Sequence, residues 1–154
     1  MKKLICIIIV LMAMMPSCKK DKVPLENEIR FTLNGTRYTC ITDNMWNASG
    51  ETLLFFGADF GPSNNIRIYL HENGNPITTG TYTFAPGKYR FGMVMANAVV
   101  YFAGEADDVA FKGSGSVNIT RYSDVVAEGT FAFASDYEQP FAVTDGFFRI
   151  RAHN

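Results

Sequence analysis

Three cysteines and two histidines are the residues of this 154-residue chain best suited to nucleophilic or metal-binding chemistry. Cys6 and Cys18 lie in the N-terminal segment, and Cys40 lies in a strand-like run, TRYTCI. A catalytic thiol needs a histidine partner, and a zinc site needs three or four ligands. Because His71 and His153 are far apart in sequence, we expect no metal site and no cofactor. Cys40 is predicted to be a small buried apolar residue.

Acidic side chains in predicted loops are the remaining candidates for catalysis: Asp107, Asp108, Asp136, Glu138 and Asp145. A pair of carboxylates facing across a cleft can hydrolyse a glycosidic bond, and oxygen-rich loops can bind calcium. No D-x-D-x-D-G loop is present, and solvated loop acids are the simpler interpretation. We therefore assign no catalytic residue, and a small carboxylate-dependent polysaccharide hydrolase is the alternative function.

Aromatic side chains in loops are candidates for ligand contact. Trp46, the only tryptophan, lies in the polar run 42–50, TDNMWNASG, which we predict to be a loop, and Tyr89 lies in a second loop. Flat rings at loop tips can stack on sugars, although such rings more often complete a core. Trp46 and Tyr89 are therefore the candidate ligand contacts. The alternative is that Trp46 folds back to cap the end of the domain.

The N-terminal segment has the pattern of an export signal. Lys2 and Lys3 precede an apolar run, residues 4–15, that is shorter than the roughly 20 residues needed to span a bilayer but fits a signal peptide. The following residues 15–18, MPSC, resemble the lipobox of bacterial lipoproteins. The resemblance implies that residues 1–17 are removed and that Cys18 is acylated. Residues 18–27 would then comprise the lipidated cysteine and a polar tether.

Composition restricts the partners of the mature chain. Removal of residues 1–17 takes away two lysines and leaves 12 basic against 15 acidic side chains, a net charge near −3. A nucleic-acid-binding protein needs a basic surface to neutralise phosphates, so we expect no nucleic-acid partner. The remaining 137 residues are one domain by length, which we place at residues 28–154. The expected partner at its N-terminal side is the membrane, through the lipid.

Alternating apolar and polar residues predict strands along most of this domain. Ile29, Phe31 and Leu33 alternate before Asn34-Gly35, the preferred turn of a type I′ hairpin. Further strands are expected, one of them at residues 97–103, and Asp145-Gly146 is either a tight turn or a bulge in the last strand. Because no linker carries a crossover helix, we predict an all-β antiparallel sandwich, or flattened barrel, of about eight or nine strands.

Several of these motifs resemble small lipoproteins of Bacteroidetes-type bacteria that contain a β domain of unknown function. The matching segments are FTLNGTRYTC at residues 31–40, GTY at 80–82, GSVNITRY at 115–122, GTFAF at 129–133 and DGFF at 145–148. The resemblance covers most of residues 28–150, and its motifs are turn glycines and alternating aromatics. It implies a secreted β domain on a lipid anchor, and it implies no activity.

The predicted lipid anchor and the predicted β sandwich together give a functional hypothesis. We expect a lipid-anchored protein of the cell envelope, at the outer membrane, with a non-enzymatic binding or scaffold domain. A glycan and an envelope protein are the two candidate partners. The alternative hydrolase would act on envelope or extracellular polysaccharide.

Overall fold

The structure is a computed structural model that describes residues 27–41, 46–49, 52–106, 109–135 and 140–151. The predictions about the export signal, Cys18 and all of the tether except Asn27 lie outside these residues, as do those about Asp107, Asp108, Asp136 and Glu138. No helix within the described ranges is long and apolar enough to cross a membrane.

The described residues form twelve strands in two antiparallel sheets of six. The strands are β1 (Glu28–Leu33), β2 (Thr36–Ile41), β3 (Trp46–Ser49), β4 (Leu53–Gly61), β5 (Asn64–His71), β6 (Gly80–Thr83), β7 (Arg90–Ala96), β8 (Val99–Ala106), β9 (Val109–Lys112), β10 (Ser114–Tyr122), β11 (Val126–Ser135) and β12 (Phe141–Arg151). The first sheet has the order β2-β1-β12-β11-β10-β6, and the second has the order β3-β4-β5-β7-β8-β9. The predicted all-β antiparallel sandwich is confirmed. The flattened-barrel alternative is wrong, because the observed pairings leave two separate sheets.

The strand count exceeds the predicted eight or nine, and one cause lies at residues 97–103. The run predicted as one strand at 97–103 is part of a hairpin of β7 and β8, in which Ala96 pairs with Val99. The turn residues Asn97 and Ala98 both have positive φ, 53° and 63°. Asn64 Oδ1 accepts a hydrogen bond from the Asn97 N–H at 2.9 Å, which holds this turn. Without glycine, the turn carries no strong sequence signal.

The hairpin predicted at Asn34-Gly35 is confirmed. Both residues have positive φ, 47° and 83°, and Leu33 pairs with Thr36 across them. The Asn34 N–H donates to the Ala142 carbonyl at 3.0 Å, and Asn34 Oδ1 accepts from the Ala142 N–H at 2.9 Å. The turn therefore also fixes the position of β12 beside β1.

The bulge alternative for Asp145-Gly146 is confirmed. The pairing of β11 with β12 shifts register between Phe131 and Phe133, and Asp145 has a φ of 52°. The bulge leaves Asp145 exposed while Phe148 remains in the core.

Phenylalanine side chains fill the space between the sheets. Phe56 of the second sheet stacks on Phe148 of the first, with ring centroids 4.3 Å apart. Phe133 lies against Gly92, where a Cβ atom would come within 2.6 Å of its ring. The missing side chain at Gly92 therefore sets how closely the two sheets approach.

Gly92→Ala is expected to lower the free energy of unfolding by about 1–3 kcal/mol, because the added methyl overpacks the core against Phe133. The control is Gly61→Ala, at an exposed position where the nearest atom to the added Cβ is the Asn64 amide nitrogen at 3.1 Å, farther away than the Phe133 ring is at Gly92. That variant should change stability by no more than about 0.5 kcal/mol. Urea denaturation of both variants checks this, and equal stability losses would contradict the packing described.

Candidate binding surface

The outer faces of the two sheets differ in chemistry. The outer face of the first sheet is polar, as is usual for a solvated antiparallel sheet. Its outward residues include Thr32, Thr81, Ser116, Asn118 and Thr130. The outer face of the second sheet is aromatic and apolar. We define this aromatic face by the partly exposed residues Phe55, Tyr69, Phe91, Met93, Met95 and Phe102.

Strand register brings four rings of the aromatic face into one row. Phe55, Tyr69 and Phe91 are direct partners on β4, β5 and β7. Ring centroids lie 6.2 Å apart for Phe55 and Tyr69, and 5.2 Å apart for Tyr69 and Phe91. Phe102 of β8 extends the row, 5.2 Å from Phe91. The inward neighbours of these residues, such as Leu54 and Leu70, fill the core.

The rings in the centre of the row stack on one another. The planes of Tyr69 and Phe91 differ by 13°, and those of Phe91 and Phe102 differ by 29°. Nearly parallel rings at this separation are offset-stacked, so much of their faces is already covered. A sugar that stacks on an aromatic side chain needs an open ring face. The geometry therefore favours apolar contact along ring edges over stacking on a sugar.

Tyr89 lies at one end of the aromatic face. It is 38% exposed, and with Tyr69, His71, Phe91 and Ala106 it lines a cleft of about 320 Å³. The His71 N–H donates to the Tyr89 carbonyl at 3.1 Å, and the His71 ring centroid is 6.4 Å from those of both Tyr69 and Tyr89. The structure therefore places this candidate contact beside the aromatic row.

The prediction that Trp46 lies in a loop is wrong, because Trp46 begins β3 and pairs with Gly57 of β4. A short edge strand tolerates the polar residues of WNAS, since one side of its backbone has no neighbouring strand. Only the backbone of β3 is described, so a ligand contact by Trp46 stays a prediction. Three strand spacings, about 14 Å, separate β3 from β7, so the structure does not bring Trp46 and Tyr89 together.

Cys40 is buried, with 6% of its surface exposed, as predicted. Burial raises the pKa of its thiol, and the negative charge of Asp59 raises it further. A raised pKa disfavours the thiolate, which is the reactive form of cysteine. Cys40 therefore has the surroundings of a packing residue rather than of a nucleophile.

Described glutamates are held by structural partners. Glu72 accepts from Arg90 Nε at 2.6 Å, and Glu128 accepts from Arg149 Nε at 2.7 Å. Asp145, at the bulge, accepts from the Thr144 hydroxyl at 3.2 Å. In the part of the chain that the structure describes, no group of three or more histidine, cysteine, aspartate or glutamate side chains could hold a metal ion.

The aromatic face as a unit was missed from the sequence. A signal for it exists in LLFF, residues 53–56, which is apolar at consecutive positions and so places apolar residues on both sides of a strand. That run predicts a central strand, and β4 does lie between β3 and β5. Phe55 nevertheless faces outward and is partly exposed, and only cross-strand register shows that it aligns with Tyr69 and Phe91.

Comparison of the chain with protein-family models, with curated proteins and with solved structures finds no match. The resemblance to small lipoproteins therefore stays a prediction from the motifs quoted above.

Phe91→Ala tests whether the aromatic face serves packing or binding. We expect it to lower the free energy of unfolding by about 1–2 kcal/mol, because Phe91 is partly exposed and loses mainly its two ring contacts. The matched variant Phe56→Ala removes a fully buried ring and should cost about 3–5 kcal/mol. Urea denaturation midpoints give both values. A loss at Phe91 as large as that at Phe56 would show that the face is structural.

Proposed function

We propose that this chain is an envelope lipoprotein, held at the outer membrane by acylated Cys18, whose β sandwich is a non-enzymatic binding domain for an envelope protein. The predicted export signal, followed by Cys18, supports the proposed location at the outer membrane. The aromatic face supports the binding role, and it is the observation that carries the proposal. Soluble monomers rarely leave large contiguous apolar patches exposed, and such patches mark interaction sites.

The residue types of the aromatic face suit a protein partner better than a glycan. Aromatic residues, methionine and arginine are enriched at protein interfaces, while lysine, glutamate and aspartate are depleted. Met93 and Met95 add flexible side chains that adapt to an apolar partner surface. The partner is therefore a protein that presents an apolar strip to the aromatic face.

The alternative hydrolase has less support. A glycosidase needs two carboxylates that face across a cleft. Of the candidate acids, only Asp145 lies within the described residues, where it is exposed at the bulge of β12. No observation on the described residues favours the hydrolase over the binding domain.

Cys18→Ala is expected to move the protein out of the membrane fraction or to leave it unprocessed, because the acyl chains supply the membrane affinity. Cell fractionation and the mass of the mature N-terminus measure both outcomes. The control is Cys40→Ala, which leaves the proposed anchor intact and should remain in the membrane fraction. A Cys18→Ala protein that is still cleaved and still membrane-bound would rule out the anchor.

Photo-crosslinking in intact cells tests the binding face. A photoreactive phenylalanine analogue at Val100, which is 56% exposed beside Met95 on the second sheet, should give one discrete crosslinked protein. The same group at exposed Thr130, on the polar face of the first sheet, is the control and should give none.

Phe91→Ala should weaken the Val100 crosslink when the crosslinked band is normalised to the total amount of this chain, because the variant is also expected to be less stable. If the only crosslinked protein is a second copy of this chain, the aromatic face is a self-association surface, and the proposal of a different envelope protein as partner is wrong. Equal yields from Val100 and Thr130, or none from either, would contradict the proposed face.

A further inference from the structure

We propose that the end of the first sheet nearest the tether is a membrane-contact surface, on which Ile41 and Val125 enter the headgroup region of the bilayer that holds Cys18. This inference rests on the proposed acylation of Cys18. It adds an orientation of the domain relative to the membrane. The end of the sandwich nearest the tether faces the bilayer, and the aromatic face does not.

The chain joins the domain at that end of the sheet. Asn27 is buried, and its Oδ1 accepts a hydrogen bond from the Arg151 N–H at 2.8 Å. Strand β1 then begins at Glu28, opposite Arg149 of β12. Nine residue steps separate Cys18 from Asn27, which reach at most about 30 Å when fully extended. The lipid therefore holds this end of the domain close to the bilayer.

Two of the most exposed aliphatic side chains lie at the same end. Ile41 is 58% exposed and pairs with Glu28 at the start of β1. Val125 is 63% exposed and directly precedes Val126, which pairs with Arg151 near the end of β12. Three strand spacings, about 14 Å, separate β2 from β11, and the register places Val125 three residues, about 10 Å, nearer the end of the sheet than Ile41.

The hairpin that carries Val125 is held in one conformation. The Ser123 hydroxyl oxygen accepts hydrogen bonds from the N–H groups of Val125 and Val126, each at 3.2 Å. The Ser123 N–H donates to the Val126 carbonyl at 2.9 Å. A serine that bonds the backbone in this way stabilises a turn. Val125 is therefore presented outward by an ordered tip.

Charge at this end is compatible with an anionic lipid surface. Arg121 and Arg151 are exposed here, and Asp124 is the exposed acid on the same hairpin tip. Glu28 and Glu128 are paired with Arg30 and Arg149. Exposed arginines near a bilayer are attracted to anionic headgroups, and the apolar contact of Ile41 and Val125 is the main term.

A bilayer fits this surface better than a protein. A stable protein interface needs about 800 Å² per partner, far more than two separated aliphatic side chains provide. Shallow insertion into a bilayer requires only apolar groups that reach about 5–10 Å into the boundary between headgroups and acyl chains. A tether to the same surface also raises the effective concentration of the contact, so weak insertion is sufficient.

Tryptophan fluorescence in vesicles tests the orientation. The lipidated full-length mature protein carrying Ile41→Trp or Val125→Trp is reconstituted into phosphatidylethanolamine–phosphatidylglycerol vesicles whose acyl chains are brominated near the headgroup. Trp46 gives the same background in every sample. Both variants should show a blue shift and a loss of fluorescence beyond the parent protein.

The matched control is Val100→Trp. Val100 is 56% exposed, but its neighbour Tyr101 contacts Phe141 at the start of β12, the end away from the tether. This variant should show no added quenching. Flotation of the vesicles separates the two proposals: protein that does not float has lost its anchor. Protein that floats without added quenching at positions 41 and 125 overturns the membrane contact and leaves the anchor intact.

Discussion

The close fit of phenylalanine rings against glycines between the two sheets is the constraint on which the rest of the structure depends. Phe133 occupies the space that a side chain at Gly92 or Gly115 would need, and Phe148 lies against Gly129 in the same way. The contact at Gly92 joins the two sheets and limits how closely they approach, whereas those at Gly115 and Gly129 lie between neighbouring strands of the first sheet. The register of each strand in turn decides which residues face inward and which face outward.

The two sheets use this alternation differently. In the first sheet, most outward residues are polar, and the outward ring of Phe147 is covered by Arg30. That face therefore carries no row of rings like the one on the second sheet. In the second sheet, the inner residues Leu54, Ile68 and Val94 already fill the core. The row from Phe55 to Phe102 is therefore additional apolar surface that the fold does not require. The binding proposal follows from this excess, since an outer face that only needed solvation would be polar.

The sequence predicted some of these features because their signals are local. Alternation and Asn34-Gly35 gave the first hairpin, since the turn type needs positive φ at both positions. The turn at Asn97-Ala98 was missed because alanine rarely takes that conformation and because Asn64, which holds it, lies 33 residues earlier in the chain. The aromatic face was missed for the same reason. Rings at positions 55, 69, 91 and 102 form one row only after four strands are placed in register, and register depends on the whole sandwich.

The measurement that tests the account most directly is hydroxyl-radical footprinting of the aromatic face, on the protein in intact cells and on the purified protein. Met93 and Met95 report on the aromatic face, and Phe147, on the outer side of the first sheet against Arg30, is the internal reference. The account predicts that oxidation of both methionines falls in cells while oxidation of Phe147 is unchanged. Equal oxidation of Met93 and Met95 in the two settings would contradict the claim that a partner covers this face.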